Sequence, residues 1–185
     1  MGIGRGFTCP RCGSKVSAVW GSGFKYPLVY QETVQGIKEG QYDEVSKIFL
    51  KEHPDGAINA EKTLARCEKC GNYDNVQDLT MFIPKEGYIH TIDPNQIWST
   101  SAHFKGADYV SPYDLSIHYI EFKRYPHKCK RCGGAMHIIP FYSYSIDPKG
   151  RGVEEICKQI ESGIRSIECP ECGEDMVVLE FVDWD

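Results

Sequence analysis

The feature that most constrains this chain is a five-residue pattern, Cys-x-x-Cys-Gly, which occurs four times. In each copy two thiols stand three residues apart and can bind one cation. The glycine that follows can adopt a left-handed backbone angle, which turns peptide N–H groups toward the sulfur atoms. The copies begin at Cys9, Cys67, Cys129 and Cys169. We predict that each copy is a metal-binding turn, here called a knuckle and numbered first to fourth in chain order.

Four knuckles supply eight thiolates, and a closed tetrahedral zinc site needs four, so the sequence predicts two sites. The chain has nine cysteines and no apolar N-terminal stretch typical of an export signal, which favours the reducing cytoplasm and metal ligation over disulfides. The economical pairing joins knuckles that are neighbours in the sequence, while a crossed pairing that interlocks the two halves stays open. The predicted ligands are Cys9, Cys12, Cys67 and Cys70 at site 1, and Cys129, Cys132, Cys169 and Cys172 at site 2.

Hydrophobic periodicity places strands beside the knuckles and helices between them. The order knuckle, strand, helical insert, knuckle, strand occurs twice, which is an internal repeat. We therefore predict an α+β protein with a first unit at 1–85, a packed connector at 86–111 and a second unit at 112–185. The predicted strands are 15–20, 79–83, 135–141 and 176–182, and the predicted helices are 31–39, 42–53, 112–125 and 152–163. Ser111 and Pro112 are typical of a cap and first residue of a helix.

Two knuckles, Cys9-Pro10-Arg11-Cys12-Gly13 and Cys169-Pro170-Glu171-Cys172-Gly173, resemble the C-P-x-C-G turns of the zinc-ribbon and rubredoxin family. The resemblance covers the knuckles and their adjoining strands. It implies two zinc-ribbon (rubredoxin-like) β units, each with helical insertions between its knuckles, and a bound metal. The family has many roles, so the resemblance implies no single function. The layout as a whole also resembles bacterial proteins with paired C-x-x-C knuckles, which implies no activity.

The metal is predicted to be two zinc ions, with iron and rubredoxin-like electron transfer as the alternative. A site closed by four cysteines has no open position for substrate, so a structural role is expected and no enzyme. No Ser-His-Asp order, paired-acid motif or H-E-x-x-H string accompanies the knuckles, so no catalytic or cofactor-binding residue is assigned. The ninth cysteine, Cys157, falls on the apolar face of the helix predicted at 152–163 and is expected in the core.

Charge favours a protein partner over a nucleic acid. The formal net charge is −5, and two zinc tetrathiolates of charge −2 each would take it to about −9, which repels the phosphate backbone. One basic stretch can either meet the phosphates of a nucleic acid or offset the charge of the third knuckle, and the acidic flank of the fourth knuckle can neutralise it within the chain. This basic patch consists of Lys123, Arg124, Lys128, Lys130 and Arg131. No apolar run is long enough to span a membrane, so no membrane partner is expected.

Overall fold

Three small antiparallel sheets form the framework of the chain in a computed structural model, which describes residues 2–91, 108–139 and 167–184. The strands in these residues are β1 (Gly2–Thr8), β2 (Lys15–Trp20), β3 (Ala57–Ile58), β4 (Lys62–Cys67), β5 (Tyr73–Gln77), β6 (Met81–Pro84), β7 (Tyr119–Lys123), β8 (Met136–Ile139) and β9 (Val177–Trp184). The helices in these residues are α1 (Tyr26–Lys38), α2 (Glu44–Glu52) and α3 (Pro112–His118). This mixture of helices and antiparallel sheets confirms the α+β class.

Each sheet combines two strands from residues 1–85 with one strand from residues 112–185. The strand orders are β2-β1-β9, β3-β6-β7 and β5-β4-β8. The first and last described strands lie side by side, with Gly2 opposite Trp184 and Thr8 opposite Val177. In the third of these sheets, the Cys67 end of β4 lies opposite Met136 of β8. Strands of the two predicted units therefore interleave in all three sheets.

Strand β4 separates two small cores. Successive side chains of a strand point to opposite faces of the sheet. Leu64 is fully buried in a cluster with Phe7, Trp20 and Met176, whose members also include Cys9 and Cys169. The next residue, Ala65, is buried in the other cluster, with Cys67, Cys129 and Met136. One strand thus contributes to the packing around both groups of knuckles.

Helices α1 and α2 pack on the β3-β6-β7 sheet. Ile37 of α1 and Phe49 of α2 pack on Ile58 and Met81 of the sheet. Helix α2 begins after Asp43, whose side chain accepts hydrogen bonds from the backbone N–H groups of Val45 and Ser46. This capping satisfies N–H groups that have no partner within the helix.

The predicted start of α3 is confirmed, because the Ser111 side chain accepts from Asp114 N–H and Asp114 accepts in return from Ser111 N–H. The predicted helix 112–125 is wrong beyond His118. From Tyr119 the chain forms β7, which pairs with β6. Three of its five residues are aromatic or β-branched, and such residues favour a pleated surface over a helix.

Other boundaries differ from the predictions in smaller ways. Helix α1 begins at Tyr26, five residues before the predicted start, with Pro27 in its first turn and both residues buried. Strands β1, β3, β4 and β5 were not predicted, whereas the strand predicted at 15–20 is confirmed as β2. The helix predicted at 152–163 and Cys157 lie outside the described residues, as do residues 92–107 of the predicted connector.

Candidate metal centre

The four knuckles share one backbone geometry. In each, the N–H of the first cysteine donates to the carbonyl five residues on, at 2.8 to 2.9 Å, and the glycine N–H donates back to the first cysteine's carbonyl, at 2.8 to 3.0 Å. The glycines have φ angles of 75°, 70°, 69° and 73° at Gly13, Gly71, Gly133 and Gly173. A side chain is disfavoured at these angles, which explains why glycine ends every copy of the pattern. The expected turn is confirmed at all four positions.

The predicted pairing of neighbouring knuckles is wrong. The structure groups the first knuckle with the fourth and the second with the third, so that four sulfur atoms of each group lie within 4.8 Å of one another. The reason is strand pairing. The first knuckle follows β1 and the fourth precedes β9, and the antiparallel β1–β9 pair brings these two ends together. The second follows β4 and the third precedes β8, which pair in the same way.

The outer centre consists of Cys9, Cys12, Cys169 and Cys172. The Sγ–Sγ distances are 3.5 Å for Cys9–Cys172, 3.5 Å for Cys12–Cys169 and 3.6 Å for Cys12–Cys172. Cys9 and Cys169 are buried, whereas Cys12 is exposed. Hydrogen bonds with the side chain and backbone of Ser14 lower the pKa of the Cys12 thiol to about 6. One thiolate of this centre therefore forms readily at neutral pH.

The inner centre consists of Cys67, Cys70, Cys129 and Cys132. Its Sγ–Sγ distances are 3.5 Å for Cys67–Cys132, 3.7 Å for Cys70–Cys129 and 3.4 Å for Cys70–Cys132. Cys67 and Cys129 are buried and the other two are half-buried. A hydrogen bond from the backbone N–H of Cys70 lowers the pKa of Cys67 to about 7.

A second thiol in each centre resists ionisation. A backbone hydrogen bond from Asn72 favours the thiolate of Cys70, but lost hydration and hydrogen bonds with the three neighbouring thiols outweigh it and raise the pKa to about 12. In the outer centre the pKa of Cys172 is also raised to about 12, because lost hydration and the neighbouring thiols outweigh a backbone hydrogen bond from Glu174. A divalent cation would remove this opposition by neutralising the accumulated negative charge.

Both sulfur groups fit a tetrahedral metal ion. With metal–sulfur bonds of about 2.3 Å, the edges of a regular sulfur tetrahedron are about 3.8 Å long. The distances given above, 3.4 to 3.7 Å, are close to that value, whereas a disulfide needs about 2.05 Å. The eight knuckle cysteines can therefore hold two metal ions, and four thiolates suit both zinc and iron.

The fourth knuckle contacts the knuckles of the inner centre. Arg66, at the end of β4, forms an ion pair with Glu168, and the hydroxyl of Tyr73 donates to the Glu168 carbonyl at 3.0 Å. Arg131 of the third knuckle donates to Glu171 at 3.3 Å. The two centres are therefore neighbours joined by polar contacts. The Arg131–Glu171 contact joins the basic patch to an acidic residue inside the fourth knuckle, whereas neutralisation of the patch by the acidic flank stays a prediction.

The basic patch is partly occupied by such contacts. Arg124 forms an ion pair with Glu121 at 2.9 Å, and Arg131 forms the one with Glu171. The three lysines, Lys123, Lys128 and Lys130, are exposed. The intervening His127 is buried and its Nε2 atom lies 2.9 Å from the Asp78 carbonyl oxygen. Nucleic-acid binding by this patch stays a prediction.

Sequence reasoning missed the residues that connect the two centres. Arg66 and Tyr73 belong to β4 and β5, and neither strand was predicted. The alternation of Leu64, Ala65, Arg66 and Cys67 was the available signal, because it assigns the arginine to the face opposite its own knuckle.

No protein-family model, curated protein or solved structure matches this chain. The assignment of the two centres therefore rests on their own geometry and donor chemistry. None of the helices in the described parts of the chain is long and apolar enough to cross a membrane.

Proposed function

We propose that this protein binds two structural zinc ions, one in the outer centre and one in the inner centre. The observation that carries the proposal is the convergence of all eight knuckle cysteines into two groups of four sulfur atoms. Four thiolates complete a tetrahedral zinc ion and leave no position for substrate, which is the pattern of structural sites. The zinc ions supply cross-links between distant parts of the chain. Each centre, with facing knuckles on antiparallel strands, resembles a zinc-ribbon unit assembled from two distant segments.

The role of such a protein is proposed to be non-catalytic binding of another protein. Support comes from exposed apolar side chains on α3 and on β7, the strand that follows α3 directly in the chain. Tyr113, Ile117, Ile120 and Phe122 are 58%, 37%, 52% and 50% exposed. Large apolar residues that stay exposed on neighbouring elements are typical of protein interfaces. The formal charge of −5 also disfavours a nucleic acid as the main partner.

Metal analysis tests the first part of the proposal. Protein purified without added metal, from cells supplied with both zinc and iron, is expected to contain about two zinc ions per chain and to be colourless. A red protein with thiolate-to-iron absorption that bleaches on reduction would instead establish the rubredoxin-like alternative. Fewer than two metal ions after gentle purification would contradict the assignment of both centres.

Affinity capture from the native cytosol tests the second part. Wild-type protein is expected to retain a protein that is lost with the Ile120→Ser variant. Leu28→Ser is the matched control, because Leu28 is 43% exposed on α1 and lies outside the proposed surface. Retention that nuclease abolishes, or that Lys128→Ala abolishes and Ile120→Ser leaves intact, would favour nucleic acid at the basic patch and contradict the protein partner.

A further inference from the structure

A cleft of about 730 Å³ lies at the helical side of the molecule. It is bounded by α1, by the turn between α2 and β3, and by the segments that follow β6 and precede α3. No knuckle residue lines it. Its size is within the range of small-molecule sites, and neither zinc binding nor a protein interface accounts for it.

The floor of the cleft is aromatic. Tyr30, Val110 and Tyr119 line it and are only 7%, 5% and 4% exposed. Burial is the main cause that raises the pKa of Tyr30 and of Tyr119. Both phenols therefore stay neutral and present uncharged rings rather than phenolates.

The wall beside this floor holds Tyr88 and His90. The Tyr88 ring is stacked on His118, with ring centroids 4.4 Å apart, and its edge meets Tyr119 at 5.4 Å. These contacts fix the ring in place. Both ring nitrogens of His90 are buried without a hydrogen-bond partner among the described residues. Its Nε2 atom lies 3.7 Å from the Asp108 carboxylate, which is too far for a hydrogen bond. A neutral histidine always has one acceptor nitrogen.

The charged groups on the lining favour a cation. Among the described residues of the lining, with His90 counted as neutral, Asp55 and Asp108 at the exposed rim contribute two negative charges and Lys38 on α1 contributes one positive charge. Both carboxylates are close enough to influence the buried Tyr119 hydroxyl. The rim therefore attracts positive charge toward a floor of tyrosine rings.

We propose that this cleft binds a small organic cation, an ammonium group attached to an apolar or aromatic body. Carboxylates at the rim attract the ammonium group, and tyrosine rings stabilise it through the negative potential of their faces. The apolar body would contact Leu50, Val110 and the tyrosine floor.

Calorimetric titration of the metal-loaded protein tests the proposal with four probes of similar shape: benzyltrimethylammonium, benzylamine, neutral benzyl alcohol and anionic benzoate. The two cations are expected to bind more tightly than benzyl alcohol, and benzoate is expected to bind most weakly. Asp108→Asn and Asp55→Asn should each weaken the cations by about two- to fivefold, and together by roughly tenfold, without changing benzyl alcohol. Glu44→Gln, which removes an exposed carboxylate at the start of α2 that does not line the cleft, is the charge-matched control and should leave the affinity of every probe unchanged.

Three results would overturn the proposal. The first is no heat or chemical-shift change with either cation up to about 10 mM, a weaker affinity than any specific site provides. The second is tighter binding of benzoate than of benzylamine, which would assign the cleft to anions held by Lys38. The third is cation binding that the double Asp variant leaves unchanged. The metal content of every variant is measured in the same samples. Failure of the cation proposal can therefore be told apart from loss of zinc.

Discussion

Combined cysteine substitutions can distinguish two pairings of the knuckles. In the nested pairing, which the structure shows, the first knuckle joins the fourth and the second joins the third; in the other, knuckles that are neighbours in the sequence share a site. The variant Cys12→Ser/Cys169→Ser removes two ligands from the outer centre alone, whereas Cys12→Ser/Cys67→Ser removes one ligand from each centre. With nested pairing the first variant is expected to keep about one zinc ion per chain and the second to lose high-affinity zinc from both centres. Pairing of sequence neighbours predicts the reverse, because Cys12 and Cys67 would then share one site.

The expected loss of stability follows from the chain length that each centre closes. Cys12 and Cys169 are 157 residues apart, and Cys70 and Cys129 are 59 residues apart. When a metal cross-link is treated like a disulfide, chain entropy gives about 5 kcal/mol for the outer closure and about 4 kcal/mol for the inner one. The Cys12→Ser/Cys169→Ser variant should therefore lose about 5 kcal/mol of unfolding free energy in urea. That is a large part of the stability of a typical domain.

Zinc content by elemental analysis is the primary measurement, with urea unfolding followed by tyrosine and tryptophan fluorescence as the second. Disulfide mapping of the wild-type protein covers the case in which a variant fails to fold. Mild oxidation with diamide should displace the metal and link the closest thiols, which give Cys9–Cys172 and Cys12–Cys169 in the outer centre. Peptides that link the first knuckle to the second, or retention of one zinc ion by Cys12→Ser/Cys67→Ser, would refute the nested arrangement.

Three further substitutions test local features of the fold. Burial, with a smaller contribution from a neighbouring aspartate, raises the pKa of Glu61 to about 7 from 4.5. The stability of the fold relative to the unfolded chain is therefore unaffected by ionisation of Glu61 below about pH 4.5 and falls as the pH rises through about 7. Glu61→Gln should have a higher melting temperature than wild type at about pH 8 and not at about pH 5. Gly134→Ala should cost about 1–3 kcal/mol and weaken zinc binding in chelator competition, because its Cβ would lie 2.9 Å from a lysine side chain and 3.2 Å from an inner-centre sulfur. Gly133→Ala separates the two possible causes, since its positive φ of +69° strains the backbone while its Cβ meets nothing within 4 Å; it should lower stability without crowding the sulfur atoms. Arg66→Ala should lower the free energy of unfolding in urea by no more than about 1 kcal/mol, because the Arg66 side chain is 32% exposed and its partner Glu168 is 58% exposed. A loss above about 2 kcal/mol would contradict this view of the contact.

The sequence determined the local chemistry of the knuckles but not their pairing. The turn geometry depends on five consecutive residues, so the pattern at Cys9 was enough to predict it. Pairing depends on which strands meet, and that is decided by contacts between residues far apart in the chain. The run Gly2–Thr8 has three glycines in seven residues, which is a weak strand signal, so β1 was missed and with it the contact to β9.

The boundary between α3 and β7 also depends on contacts between residues far apart in the chain, which the sequence pattern does not reveal. The capping residues Ser111 and Asp114 fix where the helix begins, and they act within one turn. The helix end at His118 depends instead on β6, because Tyr119 pairs with Pro84 and Lys123 with Met81. Leu115, Tyr119 and Phe122 have helical spacing, and only the sheet reveals that Phe122 packs on Phe49 of α2, with ring centroids 5.4 Å apart.

Strand β4 contributes side chains to the packing around both metal centres. The Cys67 end of β4 carries a ligand of the inner centre, while Leu64, three residues earlier, packs in the cluster that holds Cys9 and Cys169. A change in the position of β4 must therefore disturb both centres, because neither side of the strand can move alone in a close-packed core. Arg66 and Tyr73 add polar contacts to Glu168 across the same boundary. The repeat in the sequence thus corresponds to one interlocked metal-binding framework, in which each centre joins an early knuckle to a late one.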